Sequence, residues 1–381
     1  MTFIVNILII FLASCTIFPD NKDTVEMSES RLKLHQILEE SFDYLKVPGI
    51  CVGLWTKDRE VFSVCKGKSK KNSDLEMDSQ NYIRIGSITK TFTATLMMIL
   101  SEKKYFSLDD PISKFGYAES PKPDLTLRQL ASMQSGLANY SFDKSFQEDL
   151  FTNPAKRWDI HNLIDLGFKN TLKGCPNAPS SCFQPGTRFA YCNTNFAMIA
   201  VIMEKVTQMS YRDLLEKFIF TPLNLHKTHV PSGSHLPEPY AHGYTLQGTK
   251  NKEARDATHS NPAWGLGTGN LISTIGDLKI WAQALVRGSL ISDESKKAMF
   301  DYHQVPPNKP EHFYALGVGF KNGWWGHAGS IPGYNTQIFY HPGLDSTIVV
   351  SVNHDDVDID GALLSPAQWI AGKFIDAGFA N

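Results

Sequence analysis

Ile85-Gly86-Ser87-Ile88-Thr89-Lys90-Thr91-Phe92-Thr93-Ala94 is the stretch on which the reading of this chain turns. Ile83-Arg84-Ile85 is a short extended run, Gly86 breaks it, and Ser87 opens a helix. From Phe92 to Leu100 that helix is apolar almost all round, which marks a buried helix. Ser87 and Lys90, three residues apart, then share one face about one turn apart. At a helix start the serine N–H is unpaired, and the helix dipole favours developing negative charge. Lys90 would sit inside, where burial lowers the pKa of an amine. S-x-x-K alone is a weak signal. It recurs at Ser101–Lys104, the polar end of the same helix, and at Ser141–Lys144 in a polar loop. Solvated surface residues account for both of those, and a plain N-cap serine would account for Ser87 if it stood alone.

Two motifs further along change that weighing. Tyr191-Cys192-Asn193 follows the turn Phe183-Gln184-Pro185-Gly186-Thr187 and precedes a helix. A tyrosine near a lysine can shuttle a proton, and an amide can hold both the lysine and a substrate carbonyl. The bland alternative is a half-buried aromatic beside a turn. His327-Ala328-Gly329 lies in what should be an edge strand, where a glycine lets a substrate backbone approach closely.

Outward from these motifs, Arg31 to Lys46 has a helical apolar period closed by Pro48-Gly49. Ile50–Trp55 and Val61–Val64 read as a hairpin with its turn near Lys57-Asp58-Arg59. Leu127–Met133, Asn195–Val206, Tyr211–Phe218, Gly276–Val286 and Ala367–Ile375 read as helices. Ala315–Phe320, Thr336–Tyr340 and Thr347–Val352 read as strands. Strands at both ends with helices between predict an α/β fold. One antiparallel sheet, flanked by helices, would be built from residues 31–84 and 266–381, with a mostly helical region, 85–265, inserted. Gly265-x-Gly267-x-Gly269 lacks the spacing of a dinucleotide site and reads as a flexible loop at the cleft, with Trp264 at its rim. No G-x-S-x-G occurs, which argues against an α/β-hydrolase.

The three motifs together resemble those of the serine β-lactamase and penicillin-recognising superfamily. Ile85 to Ala94 looks like the first, Phe189-Ala190-Tyr191-Cys192-Asn193 like the second, and Gly326-His327-Ala328-Gly329-Ser330 like the third. Leu108-Asp109-Asp110-Pro111, Leu127-Arg128-Gln129-Leu130, Ser135-Gly136-Leu137 and Ser273-Thr274-Ile275-Gly276-Asp277-Leu278 agree with it. Tyr-x-Asn points to the class C-like branch, and His-x-Gly is closer to its D-alanyl-D-alanine carboxypeptidases than to its β-lactamases. The resemblance implies acyl transfer through Ser87, with Lys90 and Tyr191 moving the proton and Asn193 and His327 orienting the groups. It further implies that Gly329 allows close approach and that the N–H groups of Ser87 and Ser330 form an oxyanion hole. The expected substrate is a small molecule or peptide with an acyl group: a D-Ala-D-Ala peptide, a β-lactam or an ester. The leading reading is a D-alanyl-D-alanine carboxypeptidase-like serine hydrolase. The alternatives are an esterase, a D-aminopeptidase or class C β-lactamase type of the same fold, or a penicillin-binding lipoprotein without turnover. In relatives a threonine stands where this chain has Ala328, and its hydroxyl helps hold the substrate carboxylate. Its loss favours an ester or amide substrate. Lys321-Asn322-Gly323 is a K-x-G, but Asn-Gly marks a hairpin turn.

The rest of the sequence bounds the setting. At 381 residues, with net charge −2, nothing points to a nucleic-acid partner. The twelve histidines lack zinc-ligand spacing, so neither metal nor cofactor is expected. Val5 to Leu12 is apolar and too short to span a bilayer, and reads as the core of a secretory signal. Leu12-Ala13-Ser14-Cys15 resembles a bacterial lipobox, which implies residues 1–15 as a signal, lipid on Cys15, a polar tether over 16–30 and the folded domain from 31 to 381. The expectation is an exported lipoprotein anchored to a membrane and facing the periplasm or cell exterior. Cys51 with Cys65, across the hairpin, and Cys175 with Cys182, flanking a short loop, could form disulfides and leave Cys192 free. Five reduced thiols would fit the sequence as well.

Overall fold

The computed structural model describes residues 21–249, 253–304, 312–359 and 362–380. The signal segment, Cys15 and residues 16–20 of the tether lie outside the described residues. Helix α1 spans Asn21–Leu45. Its described part reaches ten residues before the Arg31 read from the apolar period, because 21–30 contains neither glycine nor proline to stop it. The described part of the expected tether is therefore helical. No helix among the described residues is long and apolar enough to cross a membrane.

The main sheet has eight strands among the described residues. They are β1 (Gly49–Thr56), β2 (Arg59–Gly67), β3 (His303–Gln304), β4 (His312–Tyr314), β5 (Gly319–Lys321), β6 (Trp324–Ile331), β7 (Tyr334–His341) and β8 (Ser346–Val352). Their spatial order is β2-β1-β8-β7-β6-β5-β4-β3, every neighbouring pair antiparallel. The N-terminal hairpin thus joins the C-terminal strands, as expected from apolar runs at the two ends of the chain. The β1–β2 turn is Lys57-Asp58, both at positive φ, which puts Cys51 directly opposite Cys65.

Period-two burial splits the sheet into two faces. Val52, Phe62, Trp324, Ile348 and Val350 pack against Leu34 and Leu38 of α1 and Ile370 and Phe374 of the last helix. The other face joins a larger core with the helices between β2 and β3. Of these, α2 (Thr89–Glu102), α3 (Ile160–Leu172), α4 (Asn193–Thr207) and α5 (Ile275–Arg287) matter here; α6 (Pro366–Asp376) closes the chain on the opposite face. Trp281 of α5 stacks on Phe92 of α2 with 3.8 Å between ring centroids, and its indole N–H donates to Thr91 Oγ1. That contact fixes α2 beneath the sheet.

Two expectations of local structure fail. Ala315–Phe320 is not one strand. Ala315 N–H donates to the Val318 carbonyl and Gly317 sits at φ +73°, so the chain turns there and β4 and β5 form a hairpin. The apolar run reflects a buried turn: a Cβ on Gly317 would lie 2.6 Å from Ala94 Cβ. The loop 265–269 is buried and bonded through its own backbone, with Thr268 and Gly269 N–H both donating to the Gly265 carbonyl. Gly267, at φ +70°, lets it pass against Phe196 O and Ala200 Cβ.

Candidate active site

Ser87 lies in the tight turn Gly86–Ile88 that leads into α2. The turn is pressed against β6. A Cβ on Gly86 would be 2.8 Å from Ser330 N, and one on Gly329 would be 1.9 Å from the Ile85 carbonyl oxygen. Glycine at both positions is therefore what brings the Ser87 and Ser330 backbones together. β5 pairs with β6 only over Trp324–Gly326, so β6 is internal to the sheet while its half from His327 to Ser330 is open on the side of Ser87. The open edge lies within an internal strand, not on an edge strand as the sequence suggested.

Lys90, fully buried on the first turn of α2, donates to Ser87 Oγ at 2.9 Å and to the Thr268 carbonyl at 2.8 Å. Burial drives its pKa well below that of a free lysine, only partly offset by nearby Cys192. Tyr191, just before α4, places its ring centroid 4.8 Å from Lys90 Nζ. Its hydroxyl is buried and makes no hydrogen bond of normal geometry among the described residues. Burial raises the phenol pKa, and closeness to Ser87 offsets only part of the rise. Tyr191 therefore rests protonated.

His327 is buried beside both. Its Nδ1 faces the Ala328 carbonyl and so carries the proton, which leaves Nε2 to accept from Tyr314 Oη at 3.1 Å. Burial, followed by the charge of Lys90, lowers its pKa to about 3, so the ring is neutral at pH 7. Tyr191 and Tyr314 meet edge to face at 6.3 Å.

Asn193 is placed differently from expectation. Its Nδ2 donates to Ser141 Oγ at 3.0 Å and its N–H to Asn139 Oδ1, while Lys90 is oriented by Thr268. The reason is the loop 139–141, which the sequence reading dismissed as solvated surface; Ser141 is half-buried and supports the site. Asn193 Oδ1, also buried, has no partner among the described residues. Trp264 is not at a cleft rim. It is 9% exposed, packs on Phe146, and gives its carbonyl to Tyr140 Oη. Cys51–Cys65 and Cys175–Cys182 are bonded, and Cys192 is free and buried. The sequence reading missed Tyr314, Thr268 and Ser141. Only Thr268 had a signal, a loop of alternating glycines that had to pass through a packed core.

The beta-lactamase family matches this chain over residues 34–372. The chain belongs to that family. A penicillin-binding protein of Bacillus subtilis (strain 168) is 25% identical over 335 residues, covering 80% of this chain and 68% of its own length. A D-aminopeptidase of Cereibacter sphaeroides (strain ATCC 17029 / ATH 2.4.9) is 24% identical over 343 residues, and the match takes in 84% of this chain and 60% of that protein. Among solved structures, a D-stereospecific amidohydrolase from Streptomyces sp. superposes with a TM-score of 0.76 at 28% identity, over 85% of this chain and 94% of that one. Family and neighbours together indicate a serine hydrolase of the β-lactamase fold.

Proposed function

We propose that this member of the family hydrolyses amide bonds of D-configured amino-acid or short peptide substrates whose leaving side is uncharged. The observation that carries the reading is the electrostatic state of the third motif: His327 is neutral, and Ala328 has no hydroxyl to offer a carboxylate. The D-aminopeptidase and the D-stereospecific amidohydrolase among the relatives support it.

Ser87 Oγ attacks the carbonyl carbon as Lys90, in its neutral form, takes the hydroxyl proton across their 2.9 Å contact. The oxyanion is received by the N–H groups of Ser87 and Ser330, each such donor being worth about 2.7–4 kcal/mol. The C–N bond then breaks as Tyr191, protonated at rest, gives its proton to the leaving nitrogen and is reprotonated from Lys90. Water releases the acid by the reverse sequence. The unpartnered Asn193 Oδ1 suits an N–H of the substrate. We also propose export, with lipid on Cys15 as the membrane anchor; the two disulfides support an oxidising compartment.

A second reading, a D-alanyl-D-alanine carboxypeptidase, is favoured by the penicillin-binding relative. Kinetics on D-phenylalaninamide, L-phenylalaninamide, a D-Ala-D-Ala peptide, a short-chain aryl ester and a chromogenic cephalosporin separate the two. D-phenylalaninamide should give the largest kcat/KM, and Ser87→Ala should lose both turnover and fluorophosphonate labelling. A D-Ala-D-Ala peptide as best substrate would establish the second reading instead. Labelling of Ser87→Ala at the wild-type yield would remove Ser87 as nucleophile.

A further inference from the structure

Where β5 parts from β6, a cavity of about 180 Å³ opens. Tyr191, Tyr314 and His327 form one wall, and Ala328, Gln337 and Phe339 form another. It is large enough for a group of several non-hydrogen atoms. Its location follows from the chemistry already assigned: the leaving nitrogen must reach the Tyr191 hydroxyl, so the space against Tyr191 is where the leaving group goes. That placement rests on the acyl-transfer reading above.

Gln337 is the informative member. It is 1% exposed and lies directly across the β6–β7 pair from Ala328. Its Nε2 donates to the Ile338 carbonyl at 3.0 Å, which fixes the amide orientation, because the flipped form would set two oxygens together. Its Oε1 is buried with no partner among the described residues. Buried acceptors are paired in folded proteins, and an orphan on a side chain that lines a ligand-sized space signals a missing donor. Among the described residues the one cation on the lining, Lys321, is exposed. A carboxylate in the cavity would face a carbonyl lone pair; a hydroxyl or carboxamide would donate to it.

We infer that this cavity is the leaving-group subsite and that Gln337 selects an uncharged, compact group ending in a hydrogen-bond donor. The donor satisfies Oε1, and the apolar walls cover the rest. Ala328 belongs to the same device. A threonine there would place its hydroxyl within cross-strand reach, about 5 Å between Cβ atoms, and satisfy Gln337 internally. Alanine leaves the acceptor for the substrate.

The test is a ladder of D-phenylalanyl amides that differ only in the leaving amine: propylamine, ethanolamine, glycinamide and glycine. For the wild type, kcat/KM on the ethanolamine and glycinamide substrates should exceed that on the propylamide about tenfold, equal to about 1.4 kcal/mol. Gln337→Met, which keeps length and removes the acceptor, should erase that preference by bringing the ethanolamine and glycinamide rates down to the level of the propylamide. Ala328→Thr should erase it too, and serves if Gln337→Met fails to fold. Persistence of the preference in both variants overturns the inference. So does a preference for the glycine substrate that Lys321→Ala abolishes, because the site would then read a carboxylate. If Ser87 labels with a fluorophosphonate and the ladder is flat, the subsite falls while the hydrolase reading stands. If nothing is hydrolysed or labelled, the hydrolase reading falls, and titration with N-acetylglycinamide against N-propylacetamide decides the cavity. Equal affinity for the two overturns it; tighter binding of the amide by wild type and not by Gln337→Met upholds it.

Discussion

Gly329→Ala is the substitution that most directly tests how the site is assembled. The new Cβ would stand 1.9 Å from the Ile85 carbonyl oxygen, 2.9 Å from its carbon and 3.3 Å from Ile88 Cγ1. The first two are backbone atoms, so no rotamer change relieves the clash. Ordinary contact requires β6 and the Gly86–Ile88 turn to separate locally by about 1.5 Å. Gly86 has the same tight fit to Ser330 on the other side of the seam, so the separation carries Ser330 N away from Ser87 N. Loss of one oxyanion donor costs about 2.7–4 kcal/mol, or roughly 10²–10³ in kcat. Overpacking a closed seam costs about 1–3 kcal/mol of stability, which lowers Tm by no more than several degrees in a chain of this size. The measurement is kcat on D-phenylalaninamide beside a thermal melt, with two controls. Gly276→Ala, where the Cβ meets nothing within 4 Å, should keep full activity. Ser330→Ala retains the N–H and alters only an exposed side chain, and should stay within about threefold of wild type. A folded Gly329→Ala enzyme with kcat near wild type would refute the claim that this seam sets the oxyanion site.

Three further outcomes follow from the geometry. Lys90→Met should abolish acylation and should gain stability relative to wild type near pH 7. Because burial lowers the Lys90 pKa in the folded state, wild type carries a penalty that is full at low pH and fades as pH rises toward 10.5, so the Tm gap between the two should shrink over that range. His327, lowered to about 3 by burial, must take up a proton on unfolding below pH 6.5; His327→Gln should flatten the loss of stability between pH 6.5 and 3 by up to about 1.4 kcal/mol per pH unit, read from urea melts at each pH. Replacing Cys51 and Cys65 together by alanine should cost about 3 kcal/mol, the loop-entropy value for a bridge spanning 14 residues, and an unchanged urea midpoint under oxidising conditions would contradict the bond.

What the sequence disclosed was local. Ser87, Lys90 and their helix could be read because a strand, a glycine and an apolar helix follow one another within twenty residues. Cys51 and Cys65 could be paired because a two-residue turn fixes the register of a hairpin. The ends of α4, α5 and α6 came within two residues, since each is amphipathic or buried with clear stops. Tertiary contact hid the rest. Thr268 reaches Lys90 across 178 residues of chain, Ser141 reaches Asn193 across 52, and no periodicity records either. Ala315–Phe320 misled because a buried turn and a buried strand are equally apolar. Trp264 misled because a glycine-rich loop suggests mobility, whereas here Gly267 lets the loop pass against Phe196 and Ala200 in a packed interior.

The same burial explains why the site should distinguish transition state from substrate. Lys90 and His327 are both desolvated, and the charge of Lys90 further suppresses protonation of His327. The pocket therefore tolerates at most one resident cation. When Lys90 is neutral, an uncharged amide enters a site that is itself uncharged, and ground-state electrostatic attraction is slight. Charge appears only as Ser87 attacks, when a proton passes to Lys90 and an oxyanion forms against the backbone donors. Ammonium and oxyanion then attract each other in a dry site, so the stabilisation arises on the way to the tetrahedral state and contributes to kcat. A substrate carboxylate would break this arrangement. It would hold Lys90 in its protonated form, with the proton already in place, and remove the base before the reaction began. On this argument the neutral third motif and the choice of an uncharged leaving group are one property of the site, and the absence of a side-chain hydroxyl at Ala328 belongs with it.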